Sequence, residues 1–398
     1  MEKQLQNVFV CVILLCCYSL AFGQNKVPKS VQFGKGITYE AKDTSLKVKF
    51  NFRMQNLFSS VYDQASEEWS SQFLVRRSRL KFGGYALSPK LEYKVELGLT
   101  SRDISVNKED GNTRGSSRVI LDAVLKWKYS KHWTLWVGQT KLPGNRERVI
   151  SSANLQFVNR SILNSKYNID RDAGIQLRGK YNVGKVIIAP SFAITQGEGR
   201  NIASNNVGGY DYTAHLEFLP FGAFASKGDF SSSDLAREQT PKLAIGLTFD
   251  YNDGAVRQGG QLGSFVVDAK SDYVENSLTS FFADLMFKYK GFSILSEYAN
   301  KTAADEIVDV SKGFLTGTGF NFQMGYLFDN NVELAVRYTS ISDDSDLSGI
   351  SDETQYTLGL SKYIVGHNLK FQTDLTRIAY PDVDDGKLMF RMQVEMQF

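Results

Sequence analysis

The chain has 398 residues and carries 46 Lys and Arg against 43 Asp and Glu, a net charge of +3. Its mean hydropathy is −0.26, and past residue 25 it has no apolar run of the roughly 18 residues a membrane helix requires, which excludes a helical membrane bundle. Aromatic and β-branched residues spread throughout the chain exclude collagen-like, low-complexity and disordered classes.

The first element is an export leader. Lys3 opens a positive region, Val8 to Leu15 is apolar apart from Cys11, and Ala21-Phe22-Gly23 ends the segment with small residues flanking Phe22. Residues 1–23 are therefore expected to be a cleaved signal peptide, and residues 24–44 a short periplasmic lead-in. Cys11, Cys16 and Cys17 are the chain's cysteines, so the mature chain carries no thiol, disulfide or zinc–thiolate chemistry. His132, His215 and His367 lie too far apart to match a metal-ligand spacing. No cofactor and no metal are expected. Nucleic acid is not an expected partner either.

From residue 45 the period is two. Leu46, Val48, Phe50, Phe52 and Met54 alternate with Lys47, Lys49, Asn51, Arg53 and Gln55, and the same alternation recurs to the end of the chain. There, Leu388, Phe390, Met392, Val394, Met396 and Phe398 share one face. Strands of about 10–13 residues, tilted by about 45°, cross an apolar band of ~25 Å. Aromatics such as Trp127, Tyr129, Trp133, Tyr326, Phe328 and Phe398 gather at strand ends, where interfacial girdles lie. The chain is read as all-β: a transmembrane antiparallel β-barrel of about 16 strands.

The strands are placed near 45–55, 74–86, 90–100, 118–129, 132–140, 172–181, 184–194, 210–219, 241–251, 277–290, 291–300, 317–328, 331–340, 353–364, 367–377 and 387–398. Long and short connections alternate between them, the long ones beginning with 56–73 and the link 220–240 breaking the rhythm. Short turns belong to the periplasmic side and long loops to the extracellular side, so both chain ends are periplasmic. An even strand count closes the sheet and removes its edges.

Charge is unevenly distributed. Residues 45–180 carry 24 Lys and Arg against 12 Asp and Glu, a net of +12, while residues 181–398 carry a net of −11. Parity places Lys47, Lys49, Arg53, Arg77, Arg79, Lys81, Lys94, Lys126 and Lys128 toward the lumen as candidates for an anion pathway, along with Arg178 and Lys180 on a further strand. Glu92, Glu96 and Asp122 interrupt that wall. The longest connection, 141–171, carries Lys141, Arg146, Glu147, Arg148, Arg160, Lys166, Asp170 and Arg171. Its length and charge favour an inward-folded constriction loop over an external cover. His215 lines the lumen beside Thr213 and Glu217 with no identifiable serine partner, and His132 and His367 read as solvated turn residues.

Several stretches resemble the phosphate-selective porin O and P family. They are Phe73-Leu-Val-Arg-Arg-Ser-Arg-Leu-Lys-Phe-Gly83, Val137-Gly-Gln-Thr-Lys-Leu-Pro143 with Arg146-Glu147-Arg148, Phe157-Val-Asn-Arg-Ser161, and Arg171-Asp-Ala-Gly-Ile175. The resemblance implies a sixteen-stranded trimeric porin whose third loop narrows the channel and whose basic residues guide phosphate or polyphosphate inward. Matched to this chain, it implies Arg77, Arg79 and Lys81 as ladder members and Lys141, Arg146 and Arg148 as constriction residues.

The sequence is therefore read as an outer-membrane porin, not an enzyme, for passive diffusion of small hydrophilic solutes, with anions such as phosphate preferred. Its expected surroundings are outer-membrane lipid and lipopolysaccharide, with the barrel-assembly machinery recognising the strand that ends in Phe398. A porin without charge preference, one for another nutrient, a barrel enzyme and an adhesive or structural barrel are the alternatives.

Overall fold

The computed structural model describes residues 32–104, 118–202, 206–307, 310, 312–344, 347–349, 351–381 and 383–398. The leader lies outside the described residues. Sixteen long antiparallel strands form one closed sheet. They are β1 (Leu46–Asp63), β2 (Glu68–Ala86), β3 (Ser88–Gly98), β4 (Ile120–Trp127), β5 (Trp133–Lys141), β6 (Arg171–Gly179), β7 (Val186–Thr195) and β8 (Asp211–Leu219). There follow β9 (Lys242–Ala255), β10 (Asn276–Tyr289), β11 (Phe292–Ala303), β12 (Gly317–Leu327), β13 (Val332–Asp343), β14 (Glu353–Tyr363), β15 (Leu369–Tyr380) and β16 (Val383–Gln397). Two short strands are added to them: Ile37–Glu40 pairs with the start of β1, and Tyr181–Val183 continues β6 along β7.

The barrel closes where β16 meets β1, in register from Lys387 opposite Asp63 to Gln397 opposite Arg53. Phe398 completes the seam: its amide and carbonyl exchange hydrogen bonds of 3.0 and 2.8 Å with Phe52, and the two rings lie 5.5 Å apart. Both described chain ends thus lie at one end of the barrel, the periplasmic one in barrels of this build.

The pattern of burial is inverted relative to a water-soluble sandwich. On β14, Tyr356, Leu358 and Leu360 are about half exposed, while Gln355, Thr357 and Ser361 beside them are buried. Apolar side chains on the outside and packed polar ones on the inside suit lipid around the wall and a polar lumen within it. Among the described residues no helix is long and apolar enough to span a membrane, so strands do the crossing.

One expected loop is instead strand. Residues 56–73 continue β1 and open β2, joined by a turn at 64–67. The apolar alternation fades there because the hairpin rises beyond the lipid band, and sheet pairing rather than lipid contact sets its conformation. A bulge in this hairpin, where Gln55 faces Arg77 but Asn56 faces Val75, leaves Arg76 as an extra residue.

Two connections turn into the barrel from opposite ends. Residues 142–170 enter between β5 and β6 and include the short helices α2 (Arg146–Val149) and α3 (Ile162–Lys166). Residues 220–241, the link that breaks the long-short rhythm, rise from the periplasmic end. The Lys288 ammonium on β10 holds them by donating to the carbonyls of Gly228, Ser231 and Ser233 at 2.6–2.8 Å. The Ser233 hydroxyl bonds both Glu333 at 2.7 Å and the Tyr363 hydroxyl at 2.6 Å. The two inward segments meet: Ser232 donates its amide to the Asn154 carbonyl, and Asn154 donates its side-chain amide to the Phe230 carbonyl, both at 3.0 Å.

Candidate functional site

The 142–170 segment lies against the acidic half of the wall and bonds its carboxylates. Arg146 reaches Asp284 on β10 at 2.6 Å and Glu217 on β8 at 2.9 Å, and these carboxylates raise its pKa further. The Glu147 amide donates to Glu297 on β11, and the Val158 amide to Asp374 on β15. Gln156 donates to Glu333 on β13 at 2.7 Å. Arg53 on β1 joins Ser152 at 2.9 Å and Glu395 on β16 at 3.7 Å, so the segment is tied to the seam through β1. Glycines on the wall make room for this docking. A Cβ at Gly325 would stand 2.1 Å from the Gln156 amide, and one at Gly359 would stand 2.8 Å from the Phe157 ring.

Glu147 turns inward on its own segment, accepting from the Ser161 amide at 3.0 Å and hydroxyl at 2.5 Å, with Arg337 on β13 at 3.8 Å. Ser161 in turn caps α3 by accepting from the Asn164 amide. Lys141, at the end of β5, donates to the carbonyls of Arg148, Val149 and Ile150 and so closes the C-terminal end of α2.

Beside this segment an opening of about 540 Å³ remains, mostly against β2–β6, with Gln355 of β14 and Met389 and Arg391 of β16 completing its wall. It is lined by Arg77, Arg79, Lys81, Lys94, Lys141 and Arg171 from the wall and by Arg148 and Arg160 from the inward segment. Some of this charge is compensated. Arg79 pairs with Glu96 and Asp103 at 3.2 Å, Lys94 with Asp122 at 2.6 Å and Arg171 with Asp122 at 3.1 Å. Lys81 is 3.7 Å from Glu96. Arg148 grips Asp170 at 2.5 Å, and burial opposed by Arg148 and Arg171 leaves that carboxyl far below its ordinary pKa. Arg77 and Arg160 differ. Arg77 donates to the neutral amide of Gln55 at 2.8 Å. Arg160 donates to the carbonyls of Glu147 and Ile150 at 2.8 and 2.6 Å. Burial and then the neighbouring Arg148 push the Arg160 pKa down to about 9, which leaves it charged at neutral pH.

The remaining expected residues lie elsewhere. Arg53 is sealed beneath the segment, Arg146 serves as a cross-lumen tether, and Lys166, half-buried at the end of α3, does not line the opening. Toward the periplasmic end, Lys47 pairs with Glu40, Lys128 with Glu92, Lys49 is exposed, and Lys126 stands 3.8 Å over the Trp136 ring. None of these four lines the opening. Sequence reasoning missed Arg76, Arg200 and Arg391, which do. Arg76 reaches inward because the bulge offsets strict alternation; its guanidinium donates to Asn159 at 3.1 Å. His215 lines a second cavity of about 220 Å³ with Arg146, Glu217 and Asp284, and its ring meets the Thr248 hydroxyl at 2.8 Å. His367 is not a freely solvated turn residue, because Ser231 of the 220–241 link bonds its ring at 2.8 Å. His132 stacks on Tyr181 at 4.8 Å.

The model of the family described as phosphate-selective porin O and P matches residues 48–397, the entire barrel. The chain belongs to that family. Among solved structures, this family member is similar to an anion-selective porin from Comamonas acidovorans (9% identity, 88% of this chain and 99% of that one, TM-score 0.54). It is also similar to the outer-membrane channel DcaP of Acinetobacter baumannii (11% identity, 90% and 99%, TM-score 0.54). OmpT of Vibrio cholerae in its trimer form matches at 11% identity over 87% and 98% of the two chains, with a TM-score of 0.53. An uncharacterised protein of Aquifex aeolicus is 22% identical over 382 residues, 90% of this chain and 88% of that protein. At these identities the solved structures speak for the fold, and family membership makes the chain an outer-membrane porin.

Proposed function

We propose that this porin is a passive channel that prefers anions, inorganic phosphate among them, and passes them along the β1–β6 side of the lumen. The observation that carries the reading is the unequal accounting of charge. Glu217 and Asp284 are ion-paired with Arg146, Asp374 with Arg391 and Glu395 with Arg53 and Lys370, whereas Arg77 and Arg160 at the opening are bonded to neutral acceptors. Positive charge left uncompensated in a narrow, weakly screened passage raises the local concentration of anions. The family's name agrees with this direction.

The reading includes assembly as a homotrimer through β3–β6. These strands have 11, 8, 9 and 9 residues, against 12 to 15 for β9–β11 and β15–β16. A tilted eight-residue strand covers about 19 Å, short of the ~25 Å apolar band, so this low wall suits protein better than lipid.

The test is charge reversal at the opening. Arg77→Glu, Arg79→Glu and Lys81→Glu together change the local charge by six units. In a planar bilayer under a KCl gradient, the reversal potential is expected to move from anion toward cation preference. An unmoved potential in a folded, conducting variant places the ion path elsewhere.

A further inference from the structure

The opening is larger than an inorganic anion needs and is chemically mixed. At about 30 Å³ per water-sized group, a tetraoxyanion fills about a quarter of its 540 Å³. Its lining includes guanidinium groups, with Arg77 and Arg160 bonded to neutral partners. The α3 turn that follows Arg160 adds neutral polar groups, among them Asn164 and Ser165. Asn164 is fully buried, lines the opening, and has no hydrogen-bond partner for either its amide oxygen or its amide nitrogen. Ser165 beside it is exposed. A buried primary amide with both functions unused, bordering the same opening as these guanidiniums, is matched by a solute carrying an anionic group at one end and hydroxyls at the other.

We propose that this opening takes phosphorylated polyhydroxylated solutes, sugar phosphates in chemical class, with the phosphoryl group on Arg77 and Arg160 and sugar hydroxyls on Asn164 and Ser165. The inference rests on the anion reading above and sharpens it. Two uncompensated guanidiniums suit a dianionic phosphoryl better than a single carboxylate. An amide offers both a donor and an acceptor to adjacent hydroxyls, which an inorganic anion does not use.

The experiment is block of KCl current through the full-length channel in a planar bilayer. Glucose 6-phosphate, glucuronate, inorganic phosphate and glucose are each titrated to the concentration that halves the current. Glucose 6-phosphate is expected to act at about fivefold lower concentration than inorganic phosphate, the effect of one neutral hydrogen bond. It should also outdo glucuronate, with glucose inert. In Asn164→Leu the ratio of phosphate to glucose 6-phosphate half-blocking concentrations should fall toward one. If that variant does not fold, Ser165→Leu, at an exposed position, carries the same comparison. Equal block by phosphate and its sugar ester in the wild-type channel, or an unchanged ratio in the folded variants, overturns this inference and leaves the anion reading standing. Absence of block by any anion overturns both.

Discussion

At the scale of single residues, position relative to the two inward segments decides what a charged side chain does. Arg146 and Arg148 are two apart in sequence, yet one spans the lumen to Asp284 and the other borders the opening. His367 is a sharper case. Its ring is bonded to Ser231 and meets Tyr363 edge-on at 5.3 Å. Burial first, then Lys370 and Lys288, push its pKa well below the ordinary 6.5, so the neutral ring is the form the fold accepts. Stability held by such a group is complete above the unfolded value of 6.5 and is lost as the pH falls toward the folded value. Acidifying from neutrality to pH ~4.5 is therefore expected to loosen the 220–241 link and raise its cleavage by a protease. His367→Gln should remove that pH dependence. Limited proteolysis read by mass spectrometry checks this, and equal pH dependence in both proteins would assign the effect to another group.

At the scale of elements, the strands were legible and the segments inside them were not. Strand period and parity follow from lipid on one face and water on the other, so every barrel strand overlaps its expected span, β9, β11, β13, β15 and β16 extending three to four residues further and β1 and β2 more. The bulge at Arg76 escaped because an extra residue is set by pairing geometry, not by alternation. The fit of Phe157 over Gly359 and of Gln156 over Gly325 escaped because it joins residues about 170 to 200 positions apart, with no local signal. The charges of 142–170 were visible, but that Arg146 would be spent on Asp284, while Glu297 and Glu333 take neutral donors from the segment, was not. Replacing the chain between Asn145 and Tyr167 with a few Gly and Ser residues uncovers those carboxylates. The expected outcome is a folded barrel with about twofold or greater single-channel conductance and a reversal potential shifted to cation preference. Larger conductance with unaltered anion preference would place selectivity wholly on β1–β6.

At the scale of the whole molecule, the outer surface is not uniform. β4–β6 expose Leu125, Val137 and Ile175 on strands too short for a full lipid band, while β13–β15 expose Leu334, Leu358 and Leu375 on longer ones. In native mass spectrometry from mild detergent the wild-type chain is expected to give trimers, and Lys at the first three positions to give folded monomers. Lys at the second three should instead reduce the amount of barrel in the membrane, because a charge facing lipid at mid-depth costs about 2–4 kcal/mol. Trimers persisting in the first set would move the subunit interface away from the low wall.

The opening lies to one side of the lumen, basic where it meets β2–β6 and acidic beyond the segment that fills the rest. The two charges nearly cancel in the whole chain, but Arg77 on β2 is bonded to a neutral acceptor, so its field crosses the passage from one side, transverse to the direction of transport. Motion along the passage does no work against such a field, whereas rotation within it does. A solute with one charged end would therefore travel sideways-aligned, its anionic group turned to β2 throughout, and the membrane voltage would act on its net charge without exerting comparable torque. Discrimination between isomers of equal charge and size would then depend on where along the molecule the charge is carried.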